Sequence, residues 1–359
     1  MKVPFLRPRF GSSEIRAVER VMPTANISTG PERDLFEKRL SEYIGQQMLT
    51  VCNGTVALDL IWKTLITTGK LKKGDKVLCP SFSFVATANS IVNAGLVPVF
   101  CDIDKETWNI DPTETIWNLP YEFKAILAVH TFGNPCDIEV LKGRSEETGS
   151  LLIEDCAEAF GASYKGKKVG TFGDAAAFSF NATKNLTTGE GGAVTFKDNP
   201  DLLASMYLRE HGYVGTTRNC EIPGYNYRMS NIACAIGLEQ LKTIDERNDI
   251  RASNCIYLDS INATFQENVG CADHALQIFG FLCSDKLHRT HVLNHLIENG
   301  IDAKTYFSPH IAQQKYYQKY YTVLPISDYV ADRIICLPFD EHLSDEEMDY
   351  MIDKVEEAI

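Results

Sequence analysis

From about residue 30 to 200 the chain switches repeatedly between two hydrophobic periods. Segments 31–44, 54–65, 85–94, 137–148 and 199–209 repeat their apolar positions every three or four residues, the spacing of a helix with one buried stripe. Short β-rich runs lie between or after them, at 48–52, 76–79, 97–101, 125–129, 151–154, 175–180 and 193–196. Strands alternating with helices predict a mostly parallel, seven-stranded α/β sheet covered on both faces. After residue 151 the spacing tightens. Runs 175–180 and 193–196 are separated by a loop rather than a full helix, so one strand there is expected to run antiparallel. A long helical pattern over 229–258 then leads to a tail with a strand at 277–283 and helices at 286–298 and 344–358. The pattern predicts a large α/β domain over 1–244 and a smaller α+β domain over 245–359.

Composition narrows the picture. A chain of 359 residues can bury a large core. Its formal charge of −13 argues against nucleic acid as a partner, since no broad basic patch is available to displace counterions. No apolar run is long enough to span a bilayer, and the segment Met1-Lys2-Val3-Pro4-Phe5-Leu6-Arg7-Pro8 lacks a signal-peptide core. The 11 cysteines form no CxxC pair. Structural zinc, a metal site and a disulfide framework are therefore not expected, and a reducing cytoplasm is the expected location.

Candidate chemistry collects at the carboxyl ends of the predicted strands, where open α/β sheets bind ligands. Asn53-Gly54-Thr55 follows the first run and opens a helix, a place where free N–H groups suit a phosphate. Phe84 follows the second run, where its ring could cover a flat ligand. Asp155 follows run 151–154, while Ser179 and Lys184 end or follow run 175–180, ahead of Gly189-Glu190-Gly191-Gly192. Each has a plain structural reading. The lysine is an ordinary solvated amine, Asp155 caps a helix over 156–161, the Asn-Gly-Thr turn is only a turn, and Phe84 is core. Together they match what pyridoxal 5'-phosphate (PLP) needs. An amine holds it as a Schiff base, and a carboxylate keeps its ring nitrogen protonated so that the ring can act as an electron sink. A dinucleotide enzyme would need GxGxxG after an early strand, which Cys52-Asn53-Gly54-Thr55-Val56-Ala57 does not supply.

These residues resemble the DegT/StrS sugar-nucleotide aminotransferases, PLP enzymes of the aspartate-aminotransferase-like fold (fold type I). The resemblance runs in order through Thr29-Gly30-Pro31-Glu32, Asn53 to Leu58, Pro80 to Asn89, His130-Thr131-Phe132-Gly133, Glu154 to Ala159, Gly170 to Asp174, the lysine segment, and Gly224 to Ser230. It implies that Lys184 is the Schiff-base lysine, Asp155 the partner of the ring nitrogen and Phe84 the stacking aromatic. Gly54, Thr55 and Ser179 would hold the phosphate, with Asn226 reaching the cofactor phosphate of the other subunit in a homodimer with shared active sites. Arg228 and His310 are implied on the substrate side, with an interface ion pair as the second reading of Arg228. Glu158 stands near the cofactor where many members have Gln or His, although a subset resembling perosamine synthases has Glu. The lysine distinguishes the chain from the dehydratase offshoot, which lacks it, and Tyr306-Phe307-Ser308-Pro309-His310 matches the family segment only loosely. The implied reaction moves an amino group from L-glutamate to a nucleotide-linked 4-keto-6-deoxy sugar for surface-polysaccharide (O-antigen) or glycoconjugate biosynthesis. The leading expectation is dTDP-4-amino-4,6-dideoxyglucose, with GDP-perosamine second and a UDP-linked amino sugar also open. A silent PLP-binding regulator is the alternative of another class.

Overall fold

The computed structural model describes residues 1–8, 10–112, 122–215, 219–258 and 260–359. Five strands come first: β1 (Met48–Val51), β2 (Lys76–Pro80), β3 (Val97–Cys101), β4 (Ala125–Val129) and β5 (Leu151–Asp155). A small hairpin follows, β6 (Ser163–Tyr164) and β7 (Lys167–Lys168), and then β8 (Ala175–Ser179) and β9 (Gly192–Phe196). Seven of these form one sheet in the order β1-β9-β8-β5-β4-β2-β3. Strand β9 is antiparallel to both its neighbours, and the remaining pairings are parallel. The tightened spacing after residue 151 therefore marks the reversed strand.

Helices α1 (Ser12–Val21), α2 (Pro31–Ile44), α3 (Gly54–Thr67), α4 (Ala86–Asn93), α5 (Ile138–Thr148) and α6 (Asn199–Arg209) surround this sheet, together with α7 (Asn231–Leu241). Alternate residues of each strand feed different cores. Ala125 and Leu127 of β4 join the one built with α3 and α4, whereas Ile126 and Ala128 join another with Ile138 and Leu141 of α5. Burial on both faces is why these strands read as unbroken apolar runs rather than as alternation. The single long helix expected over 229–258 is two helices. Lys242 N donates to Glu239 O at 3.2 Å, a tighter closure that ends α7 before α8 (Ile244–Leu258) begins. Residues 156–161 form turns, not the helix that the capping reading of Asp155 required.

The C-terminal unit contains β10 (Thr264–Phe265), β11 (Ala272–Asp273), β12 (Phe279–Leu282) and β13 (Ile334–Leu337), with α9 (Lys286–Glu298), α10 (Pro325–Arg333) and α11 (Asp345–Glu356). Strands β10, β12 and β13 make a three-stranded sheet whose core holds Phe281, Val292, Leu296, Leu337 and Met351. Among the connections that tie this unit to the rest, two run through short segments. Strand β11 pairs with β6, which carries residues 272–277 back across the large unit. Val3 bridges to Ile301 and is fully buried in the C-terminal core, and Arg7 binds Glu347 at 3.0 Å. The opening residues thus pack with the tail, although hydrophobic period alone groups them with the first domain.

Candidate active site

The site assembles at the carboxyl ends of β1, β2, β5 and β8. Asn53 caps α3, its Oδ1 accepting from Val56 N at 2.9 Å. The next residue has no room for a side chain, since a Cβ on Gly54 would lie 2.7 Å from the Cβ of Ser179. This close approach places the Ser179 hydroxyl beside the first turn of α3, whose N–H groups have no partner within the helix. Cys52 N donates to Tyr227 O at 2.9 Å, which brings the 225–228 segment to the same rim. Its inward side is fixed by tyrosines. Rings 225 and 227 stack at 4.7 Å, and Lys63 binds both Asp59 (2.7 Å) and the Tyr227 hydroxyl (3.0 Å). Asn226, between the two, is exposed. Arg228 is half-buried, and its buried Nε has no hydrogen-bond partner among the described residues.

Neighbouring acids on β5 have opposite surroundings because successive residues face opposite ways. Glu154 is fully buried and accepts from the N–H groups of Gly170, Phe172 and Gly173, each at 2.8 Å, with His130 Nε2 at 3.3 Å. His130 Nδ1 accepts from Cys136 N, so the ring proton sits on Nε2 and points to the glutamate. Burial would push this carboxyl up, but His130 and the glycine N–H groups outweigh it and hold Glu154 below the usual glutamate range. Cys156 stands close to this pair, yet both imidazole nitrogens and the carboxylate already have partners.

Among the described residues Asp155, 5 % exposed, has two donors to its side chain, Thr87 Oγ1 and Ala157 N, each at 3.1 Å. Burial pushes its carboxyl above the usual aspartate range; Glu158 adds to this, while Ala157 N–H, Thr87 and Lys184 offset it only in part. A buried acid short of donors is one that an N–H cation would satisfy. Thr87 also bonds Ser83 Oγ at 2.8 Å, and Phe84 between them is 58 % exposed, its ring presented at the rim rather than packed in the core.

Lys184 is close enough to Asp155 to affect that carboxyl, and it does not extend into solvent. Its side chain is 15 % exposed, with Nζ 3.6 Å from Glu158 Oε1 and 3.1 Å from Gln277 Oε1. The other Glu158 oxygen accepts from Phe132 N at 2.9 Å, so this carboxylate is hydrogen-bonded and charge-paired. His310 departs from the substrate-side expectation. It is fully buried, with Nδ1 2.7 Å from Ser81 Oγ and Nε2 2.9 Å from Asp328 Oδ1, and has no free ring nitrogen to offer. A groove of about 520 Å³ lined by Arg20, Leu35, Tyr43 and Leu238 holds none of the candidate groups.

A family model described as the DegT/DnrJ/EryC1/StrS aminotransferase family matches residues 8–356. The chain belongs to this family. Among curated relatives, GDP-perosamine synthase of Escherichia coli O157:H7 is 34 % identical over 361 residues, covering 99 % of this chain and 98 % of that one. GDP-perosamine synthase of Vibrio cholerae is 32 % identical, covering 96 % of each. Among solved structures, Helicobacter pylori PseC, an aminotransferase of pseudoaminic acid biosynthesis, superposes with a TM-score of 0.93 at 26 % identity, covering 100 % of this chain and 99 % of that one. DesV of S. venezuelae gives 0.93 at 26 %, covering 99 % and 98 %. The protein is thus an enzyme, a PLP-dependent sugar aminotransferase of the DegT/DnrJ/EryC1/StrS family with the fold-type-I architecture. The residues fit the cofactor. A donor-poor buried carboxylate, a part-buried amine, an open aromatic ring and a side-chain-free turn against Ser179 share one rim.

Proposed function

We propose that Lys184 is the covalent anchor for PLP and that the enzyme aminates a nucleotide-linked 4-keto-6-deoxy sugar with L-glutamate as donor. The observation that carries this reading is the convergence of Lys184, Asp155 and Glu158, with the amine part-buried beside two acids and not in water. PLP, when bound, supplies an electron sink for the charge that develops on the reacting carbon. Asp155 would face its ring N–H and so gain the donor it lacks. Phe84 would cover the ring, and Gly54, Thr55 and Ser179 would hold the phosphate. Lys184, as a free amine, would take the α-proton of the amino donor. Arg228 serves the substrate side; His310 positions the chain between Ser81 and Asp328.

Asn226 lies on the open side of the tyrosine-pinned segment, which supports a homodimer in which it serves the partner's site. Between acceptors, the two full-length GDP-perosamine synthase relatives favour a GDP-linked 4-keto-6-deoxymannose over the dTDP-linked glucose expected first from sequence. Wild-type protein loaded with PLP should show visible absorbance that borohydride bleaches, leaving the adduct on the peptide carrying Lys184. Lys184→Ala should bind PLP without that adduct; an adduct that persists reassigns the anchor. Incubating glutamate with GDP-, dTDP- and UDP-linked keto sugars, read by product mass and NMR, tests the acceptor. Amination of the dTDP sugar alone would reverse the preference for the GDP-linked acceptor.

A further inference from the structure

We propose that Gln277 is a positioning residue for the lysine amine, forming with Glu158 a cradle that holds Lys184 Nζ whenever that nitrogen is not joined to the cofactor. The proposal rests on the reading of Lys184 as the anchor. Gln277 is 5 % exposed and lies just ahead of β12, on the segment that crosses back over the large unit. Its Oε1 accepts from Nζ at 3.1 Å, and its Nε2 donates to Thr183 O at 3.0 Å. Together these bonds fix which end of the amide meets the lysine. The reverse orientation would set NH₂ against an amine and oxygen against a carbonyl. Gln277 therefore presents an acceptor in either charge state of the amine.

The backbone locks the cradle in place. Gln277 N donates to Phe132 O at 2.9 Å, and Phe132 N donates to Glu158 Oε2 at 2.9 Å. The accepting amide and the ion-paired carboxylate that flank Nζ both hang on Phe132, whose φ of 60° turns its N–H towards Glu158 and its carbonyl towards Gln277. A lysine side chain otherwise samples many rotamers. Held by one neutral and one charged oxygen, the nitrogen meets an incoming aldehyde from one direction. Capture then forms the bond from Nζ to the aldehyde carbon and releases one water.

The test compares two properties of the cofactor-free protein. One is the rate of covalent PLP capture, followed by rapid mixing, borohydride quench and mass of the Lys184 peptide. The other is affinity for pyridoxamine 5'-phosphate, which has no aldehyde to capture. Gln277→Met and Gln277→Ala remove the oxygen. Both should capture about tenfold more slowly, as expected for a lost bond to an amine, while affinity for pyridoxamine phosphate stays within about twofold. Gln277→Glu keeps an oxygen towards Nζ and should recover most of the rate at alkaline pH. Wild-type capture in both the Met and Ala variants, or a parallel fall in capture and affinity, overturns the proposal. Failure of the wild type to form any adduct at residue 184 overturns the anchor reading itself, and the cradle with it, so the two failures are distinct.

Discussion

Residues 154 and 155 are adjacent and both buried, yet their carboxyl groups shift in opposite directions, which makes two predictions with opposite sign. Glu154 is held below its usual range, so the stability it contributes is complete above the ordinary glutamate pKa of about 4.3 and is lost as pH falls through its lower folded value. Glu154→Gln should cost about 3 kcal/mol at neutral pH, and the gap in denaturation midpoint from wild type should narrow below that range. Asp155 is held above its usual range in the cofactor-free protein. There stability falls as pH rises through the window between its ordinary and raised values, and PLP should relieve that loss by supplying a cationic donor. Thermal midpoints of the cofactor-free and loaded protein should therefore diverge as pH rises through this window. Asp155→Ala should remove the divergence and lower turnover by about 10²-fold or more, while borohydride still marks Lys184. The contrast between the two acids is a donor count that sequence does not display. Spacing places Asp155 at a strand end, but the glycine N–H groups that satisfy Glu154 come from a loop 16 to 19 residues later.

Single elements place the site through their ends. Helix α3 starts where β1 stops, and Gly54 is the residue that allows Ser179 to approach. Gly54→Ala should weaken PLP binding by about tenfold or more in a fluorescence titration, with the fold retained, because the new methyl group must displace Ser179. Most of these elements are legible in the chain: α2, α6, α9, β3 and β4 end where the hydrophobic period predicts. Elements left out of the sequence reading are short or lean on distant partners. Strand β13 has four residues and gains its place by pairing with β12 and bridging to Lys304, and the β6–β7 hairpin pairs with β11. Helix α10 opens on Pro325, and its first turn is held by Asp102, which accepts from the N–H groups of Ile326 and Ser327. Gln277 is hidden for the same reason, as it meets Lys184 across 93 positions of sequence.

At the scale of the whole molecule, the opening residues tie together the halves that hydrophobic period separates. Arg7 holds Glu347 at 3.0 Å and Asp340 at 3.7 Å, and Asp340 is almost fully buried. Arg7→Ala leaves that acid without its cation and should cost about 3 kcal/mol. The check is the denaturation midpoint, with the visible PLP signal followed in the same sample; no change in midpoint would show the tie to be dispensable. Among the described residues no helix is long and apolar enough to cross a membrane. The bridge from Val3 to Ile301 also bears on how the polypeptide matures. Val3 leaves the ribosome long before Ile301 exists, so during synthesis the early segment has nothing to dock on. The C-terminal core that buries Val3 is completed only late in translation, and a chain stalled before that point leaves Val3 itself uncovered.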